Sequence, residues 1–153
     1  MTSNSEIHAA GVISLDDADA QVAGFHTLDE DACWELAASA ELGRMAIRGY
    51  DEVDIFPVNF LVTGRKIYFR SGPGSKLMDL TRWPLVAFEC DGMRDAVRWS
   101  VVVRGIASPM GLEHEIIESG VLDLATWAPG EKFNYVCLDP RSISGRQFRL
   151  TAH

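Results

Sequence analysis

The chain has 153 residues, of which 47% are hydrophobic and 24% are charged, the size and composition of one globular domain. A net charge of −8 disfavours the phosphate attraction of a nucleic-acid binder. No apolar run approaches the roughly 18 residues that span a bilayer. Three widely separated cysteines fit neither a disulfide framework nor a zinc module. We therefore expect a cytoplasmic protein with no metal site and no nucleic-acid or membrane partner.

Acidic residues are concentrated at the start of the sequence. Residues 1–43 hold nine acids and no Lys or Arg, whereas the other 13 acids and all 14 basic residues follow. Residues 1–24 are rich in Ser, Asp and Ala and show no apolar period. This composition predicts an acidic, partly disordered arm in front of a single domain at residues 25–153.

The first regular element is predicted to be an amphipathic helix at about residues 28–40. Thr27 and Glu30 have the spacing of a capping box, and apolar residues recur at helical spacing from Cys33 onward. Gly43 is expected to end this helix.

Beyond this helix the apolar period changes from about 3.6 residues to 2, which is the period of a strand. Short helices are predicted at 76–82 and 111–122. Pro57 cannot donate to a ladder, so its strand should lie at an edge or carry a bulge. This pattern predicts a mainly β protein, a small closed β-barrel with short helices. The predicted strands are 42–48, 54–62, 67–71, 85–91, 99–107, 133–138 and 143–150.

The segment with the clearest chemical signature is FRSGPGSKL, residues 69–77. A strand ends, a glycine-rich turn frees backbone amides, and a helix starts at Ser75 followed by Lys76. Proteins hold a phosphate with backbone amides, a hydroxyl, a helix dipole and a cation that meet at one point. The spacing matches neither a P-loop nor a dinucleotide-binding turn. A plain strand–turn–helix junction with a solvated lysine remains the alternative.

Catalytic residues are not predicted. His114 and Glu118 do not complete a zinc-binding helix, and no nucleophile elbow occurs. Trp99 and Trp127 lie at a strand start and in a loop, where tryptophans either wall a planar ligand or belong to the core.

Taken in order, six segments resemble the pyridoxamine 5′-phosphate oxidase-like, FMN-binding split-barrel family, especially its short bacterial branch with nitroimidazole-reductase-like proteins. The resemblance covers about residues 27–149 and leaves out the acidic arm. It implies a six-stranded split β-barrel that forms a homodimer with FMN sites at the interface. The segments are CWEL (33–36), LGRMA (42–46), DIFPVNF (54–60), GSKL (74–77), VAFECD (86–91) and WSVVVRG (99–105).

The same resemblance assigns roles to individual residues. Ser75 and Lys76 match positions that hold the FMN phosphate, and Arg70 matches a position that contacts phosphate or ribityl groups. Arg44 is a weaker candidate, and Trp127 could reach a site from the partner subunit. The strand at 58–60 matches the one whose backbone lies along the isoalloxazine ring, and the strand beginning at 99–100 closes over the ring system. The cofactor-binding residues implied are Val58, Asn59, Phe60, Phe69, Arg70, Ser71, Ser75, Lys76, Trp99 and Ser100.

The resemblance also limits the function. The Arg-x-His element with which vitamin B6 oxidases grip their substrate is not found in this sequence, and Lys76 stands where those enzymes carry an Arg-Lys pair. We therefore expect an FMN-dependent oxidoreductase acting on an unknown small molecule, not on vitamin B6. Two alternatives stay open. One is a non-catalytic FMN-binding or storage protein, and the other is a deazaflavin-dependent reductase on the same fold.

Overall fold

The computed structural model describes residues 25–71, 75–123 and 134–150, without the side chains of residues 75–78. The predicted arm at 1–24 and Trp127 lie outside these residues. The described chain contains seven strands, three α-helices and one 3₁₀ turn. The strands are β1 (Phe25–Thr27), β2 (Leu42–Arg48), β3 (Val53–Thr63), β4 (Lys66–Ser71), β5 (Leu85–Arg94), β6 (Val97–Pro109) and β7 (Asn134–Arg149). The helices are α1 (Glu30–Ser39), α2 (Ser75–Arg82) and α3 (Glu113–Ser119), and the 3₁₀ turn η1 is Val121–Asp123.

The strands form a closed antiparallel ring. The pairing order is β7-β4-β3-β2-β5-β6, and β6 pairs back onto β7, while β1 adds to the outside of β7. Closure requires each barrel strand to bury one face and expose the other, which is the alternation visible in the sequence. The small closed β-barrel predicted from the pattern, with the six strands that the resemblance implies, is therefore confirmed. Among the described residues, no helix is long and apolar enough to cross a membrane.

The start of α1 differs from the prediction. Asp29 is the N-cap, and its carboxylate accepts from the backbone N–H of Ala32 at 2.8 Å. The predicted capping box is wrong because Thr27 belongs to β1, where it pairs with Arg146. An Asp at the N-cap satisfies the same orphan amides as a Thr, so the helix simply begins two residues later.

Gly43 does not end the helix as predicted. The helix ends at Ser39, and Gly43 lies inside β2, opposite Val58. A Cβ on Gly43 would lie 2.3 Å from Cζ of Phe88. The glycine is therefore explained by the close approach of an aromatic ring inside the barrel, not by a turn.

The last two predicted strands form one strand, β7, of 16 residues. Its first part pairs with β4, and β6 pairs along most of its length. Pro140 lies where the register with β6 shifts, between Arg104 and Gly105, so the proline interrupts the ladder without ending the strand.

The barrel interior is filled by inward-facing aromatic and aliphatic side chains. Phe60 and Phe88 meet edge to face, with ring centroids 4.7 Å apart. Helix α1 covers one end with Cys33, Trp34 and Leu36 buried. The fully buried residues Met45, Ile47, Ile67, Phe69, Val101, Val103 and Leu138 complete this core.

Candidate functional site

Although the strand order closes into a ring, part of β3 has no partner strand on its β4 side among the described residues. Residues 42–48 of β2 pair with residues 53–59 of β3, but the pairing of β3 with β4 begins only at Phe60 opposite Phe69. Residues 53–58 therefore have a partner strand on one side only among the described strands. We call this side the open edge of β3. Pro57 lies on it, as predicted for a strand at an edge.

Alternation decides which backbone groups point to the open edge. The N–H of Phe60 donates to the carbonyl of Glu41 at 3.1 Å, on the β2 side. Because successive residues of a strand direct their N–H and C=O to opposite sides, the backbone groups of Val53, Ile55 and Pro57 point away from β2. Pro57 contributes only a carbonyl there. The edge thus combines backbone donors with acceptors.

The predicted phosphate segment lies beyond the end of β4. Ser71, the last residue of β4, pairs with Asn134, and α2 begins at Ser75. Four residue steps place the start of α2 within about 14 Å of Ser71. Ser75 and Lys76 therefore belong to the first turn of a helix, where backbone amides and the helix dipole favour an anion.

Four of the predicted site residues point into the barrel. Val58, Phe60, Phe69 and Trp99 are each at most 7% exposed. The Trp99 ring packs against Gly92, where a Cβ would lie 2.7 Å from the indole. Their side chains belong to the core, and the backbone groups of Val58 and Phe60 point towards β2. Of the two interpretations of Trp99, the structure supports the core residue.

Two other predicted residues, Asn59 and Ser100, lie on the outer face of the sheet. This face is the surface of β3, β2, β5 and β6 that points away from the core. Asn59 pairs with Leu42, and Ser100 pairs with Asp91 on one side and Arg146 on the other. Both are partly buried with side chains that point outward, so a ligand on this face can contact both side chains.

A charged cluster stands between these residues. Nη1 of Arg44 donates to Oε2 of Glu89 at 2.9 Å and lies 3.7 Å from Oδ1 of Asp91. Burial and the neighbouring Asp91 raise the pKa of Glu89, against the opposing effect of Arg44. The hydrogen bond with Glu89 raises the pKa of Arg44. One guanidinium thus serves two carboxylates. Sequence reasoning missed both acids, although their alternate positions on one strand place them on one face.

Arg70 is engaged with the segment after α3. Its Nε donates to the carbonyl of Val121 at 3.0 Å, and Nη2 donates to the carbonyl of Leu122. Its guanidinium carbon lies 5.7 Å from the ring centroid of Tyr135. The structure therefore places Arg70 beside the end of β4, as predicted, with its side chain directed at backbone carbonyls.

Thiol and metal chemistry find no support in the described residues. The three cysteines are free, and burial raises the pKa of Cys33 to about 11 and that of Cys90 to about 12. Neither thiol is a nucleophile at neutral pH. Within residues 25–71, 75–123 and 134–150, no group of three or more His, Cys, Asp or Glu could hold a metal ion.

The sequence profile of the pyridoxamine 5′-phosphate oxidase family matches residues 29–147, nearly the whole described chain. The chain belongs to this family. The match begins at the N-cap of α1 and ends near the close of β7, so it spans the entire barrel.

Known relatives agree with this membership. A candidate pyridoxamine 5′-phosphate oxidase of Corynebacterium glutamicum is 40% identical, covers 85% of this chain and 97% of its own, and superposes with a TM-score of 0.77. An FAD-binding protein of Mycobacterium smegmatis is 34% identical over 82% of this chain and 99% of its own, with a TM-score of 0.68. An uncharacterised protein of Mycobacterium tuberculosis is 34% identical over 90 residues, 59% of this chain and 82% of its own. The split-barrel fold expected from the resemblance is confirmed.

Proposed function

We propose that this member of the pyridoxamine 5′-phosphate oxidase family is a flavin-dependent oxidoreductase that binds FMN along the open edge of β3. The observation that carries the proposal is the open edge of β3, residues 53–58. Ser71 ends the neighbouring strand, β4, and the first turn of α2 follows it in the chain. The flavin-binding relative from M. smegmatis supports the cofactor class.

The polar edge of an isoalloxazine ring carries alternating donors and acceptors, and the open edge of β3 offers complementary backbone groups. The residues present therefore fit the cofactor. Ser75 and Lys76 would hold its phosphate at the start of α2, and the outward-facing Asn59 on β3 would lie beside the ring. Bound flavin supplies hydride or electron transfer, while the chain binds it, orients it and sets the polarity around it.

A homodimer is part of the proposal. The outer face carries exposed apolar side chains, with Val53 68%, Ile55 70% and Leu85 55% exposed, although the inner face of the same strands is the core. Exposed apolar side chains on a face that also carries charges are typical of a protein–protein interface, and a second copy of the chain would cover them. Ile55→Glu should convert the dimer into a monomer in analytical ultracentrifugation. Ile117→Glu, on α3 and also largely exposed at 57%, is the control.

The cofactor proposal is tested by an absorbance spectrum of the purified protein and by titrations with FMN, FAD and riboflavin. We expect flavin bands or tight uptake, with FMN bound more tightly than riboflavin because of the phosphate contact. If FAD bound more tightly than FMN, the cofactor would be FAD, as in the name of the M. smegmatis relative. Absence of uptake of all three would overturn the proposal and make a deazaflavin coenzyme the next ligand to titrate.

Catalysis is tested separately from binding. We expect the loaded protein, acting in the cytoplasm, to oxidise a reduced nicotinamide nucleotide and pass electrons to a small acceptor. Vitamin B6 is not the expected substrate, because the sequence lacks the Arg-x-His element. A protein that binds FMN tightly but shows no turnover with any donor would be a flavin-storage protein instead.

A further inference from the structure

Arg70 makes a forked contact that joins two distant parts of the chain. Its Nε and Nη2 donate to the carbonyls of Val121 and Leu122, which are consecutive residues of η1. Val121 is fully buried. The planar guanidinium is suited to such a fork because its donors are fixed relative to one another.

A second contact fastens the same segment to the same hairpin. Oγ1 of Thr63, the last residue of β3, donates to the carbonyl of Ser119 at 2.9 Å. Gly120 follows with a φ of 83°, which turns the chain from α3 into η1. The end of α3 and the first two residues of η1 are therefore held against the β3–β4 hairpin at two points, Thr63 and Arg70.

The electrostatics of this contact suit a cation and disfavour an anion. The carbonyls at the end of a helical segment carry partial negative charge. Residues 113–123 contain four acids and no Lys or Arg. A phosphate held by Arg70 would compete with the two carbonyls and would lie near an acidic segment. The first turn of α2 instead presents backbone amides and the positive end of a helix dipole, which favour an anion.

We propose that Arg70 is a positioning residue that clamps η1 to the end of β4, and that phosphate binding is left to Ser75, Lys76 and the start of α2. The proposal rests on the proposed flavin function and replaces the phosphate contact that the resemblance implies for Arg70. Ser71 follows Arg70 directly, so loosening the clamp shifts the end of β4 for every ligand of the site.

The test compares FMN with riboflavin, which lacks the phosphate, in Arg70→Ala, Arg70→Lys and Lys76→Ala. In both Arg70 variants we expect the two affinities to fall by the same factor, about three- to tenfold, as for one or two lost hydrogen bonds. Lys76→Ala should weaken FMN alone. In hydrogen–deuterium exchange, the amides of residues 117–123 should exchange faster in the Arg70 variants and stay unchanged in Lys76→Ala.

Three results would overturn the clamp. The first is a selective loss of FMN affinity in Arg70→Ala that Arg70→Lys restores, because a lysine keeps the charge but not the fork. The second is unchanged exchange of residues 117–123. The third is faster exchange with both affinities unchanged, which would leave a structural contact without influence on the site. If the unmodified protein binds neither flavin, the proposed function fails, while the exchange experiment still decides whether Arg70 holds η1.

Discussion

Gly105 and Asp139 approach so closely that no side chain fits between them. A Cβ on Gly105 would lie 2.1 Å from the carbonyl oxygen of Asp139 and 2.8 Å from Cα of Pro140. Both neighbours are backbone atoms of β7, at the point where its register with β6 shifts. The barrel closes through β6 and β7, so this contact is part of the closure.

Gly105→Ala is therefore expected to destabilise the fold by about 2–3 kcal/mol, because β7 must move to admit the methyl group. Urea denaturation measures the loss. Gly111→Ala is the control, since a Cβ there meets no atom within 4 Å. Equal stability of the two variants would show that the β6–β7 contact is looser than described.

The turn between β5 and β6 stores backbone strain. Asp95 and Ala96 have φ values of 52° and 63°, a conformation that favours glycine. Ala96→Gly should stabilise the protein by about 0.5–1 kcal/mol, since relief of strain exceeds the extra entropy of the unfolded chain. The control Ala87→Gly, inside β5, should destabilise instead. Thermal denaturation measures both effects, and a lower melting temperature for Ala96→Gly as well as for Ala87→Gly would contradict the prediction.

The anion site predicts a selective loss of affinity. Changing Ser75 and Lys76 together to Ala should weaken FMN binding by about 2 kcal/mol or more, because charge-assisted hydrogen bonds to phosphate are strong. Riboflavin binding should hardly change. Lys66→Ala, which removes a lysine at the start of β4, is the matched control in the same calorimetric titration. An FMN affinity equal to that of the unmodified protein would place the phosphate elsewhere.

Glu89 makes stability depend on pH in a defined direction. Burial and Asp91 raise its pKa in the folded state above the usual carboxyl value. The folded protein then binds this proton more tightly than the unfolded chain, so the contribution to stability is largest at low pH. It is lost as the pH rises from the ordinary carboxyl pKa through the folded one. Glu89→Gln should remove this decline in denaturation experiments across pH.

Arg44 limits how far the pKa of Glu89 rises, and so limits the pH up to which stability declines. Its hydrogen bond and charge lower the pKa of Glu89. In Arg44→Gln the decline in stability should therefore extend to higher pH, and NMR titration of the Glu89 carboxyl should show a higher pKa. A lower Glu89 pKa in this variant would contradict the pairing.

The strands could be predicted because alternation records which side of each strand is buried. The short strand β1 could not, since Phe25–Thr27 offers only three residues and depends on pairing with residues 146–148 far along the chain. The helix start was misplaced because Thr27 and Asp29 are both acceptable caps, and only the strand pairing of Thr27 decides between them.

The candidate site shows the same division. A local pattern predicts an anion site at Ser75 and Lys76, because glycines, a cap and a cation are adjacent in sequence. No local pattern could reveal the partners of Arg70, which lie about fifty positions later. The link between Arg44 and Glu89 likewise requires the register of β2 with β5.

Pro57 has a consequence for how the barrel behaves towards other polypeptides. A strand with one unpaired side is a template on which foreign strands can grow, which leads to aggregation. Because the backbone nitrogen of Pro57 points to that side and carries no hydrogen, an incoming strand would lose a hydrogen bond in the middle of its ladder. The open edge of β3 is therefore a poorer template for another chain than an edge with a complete set of N–H donors.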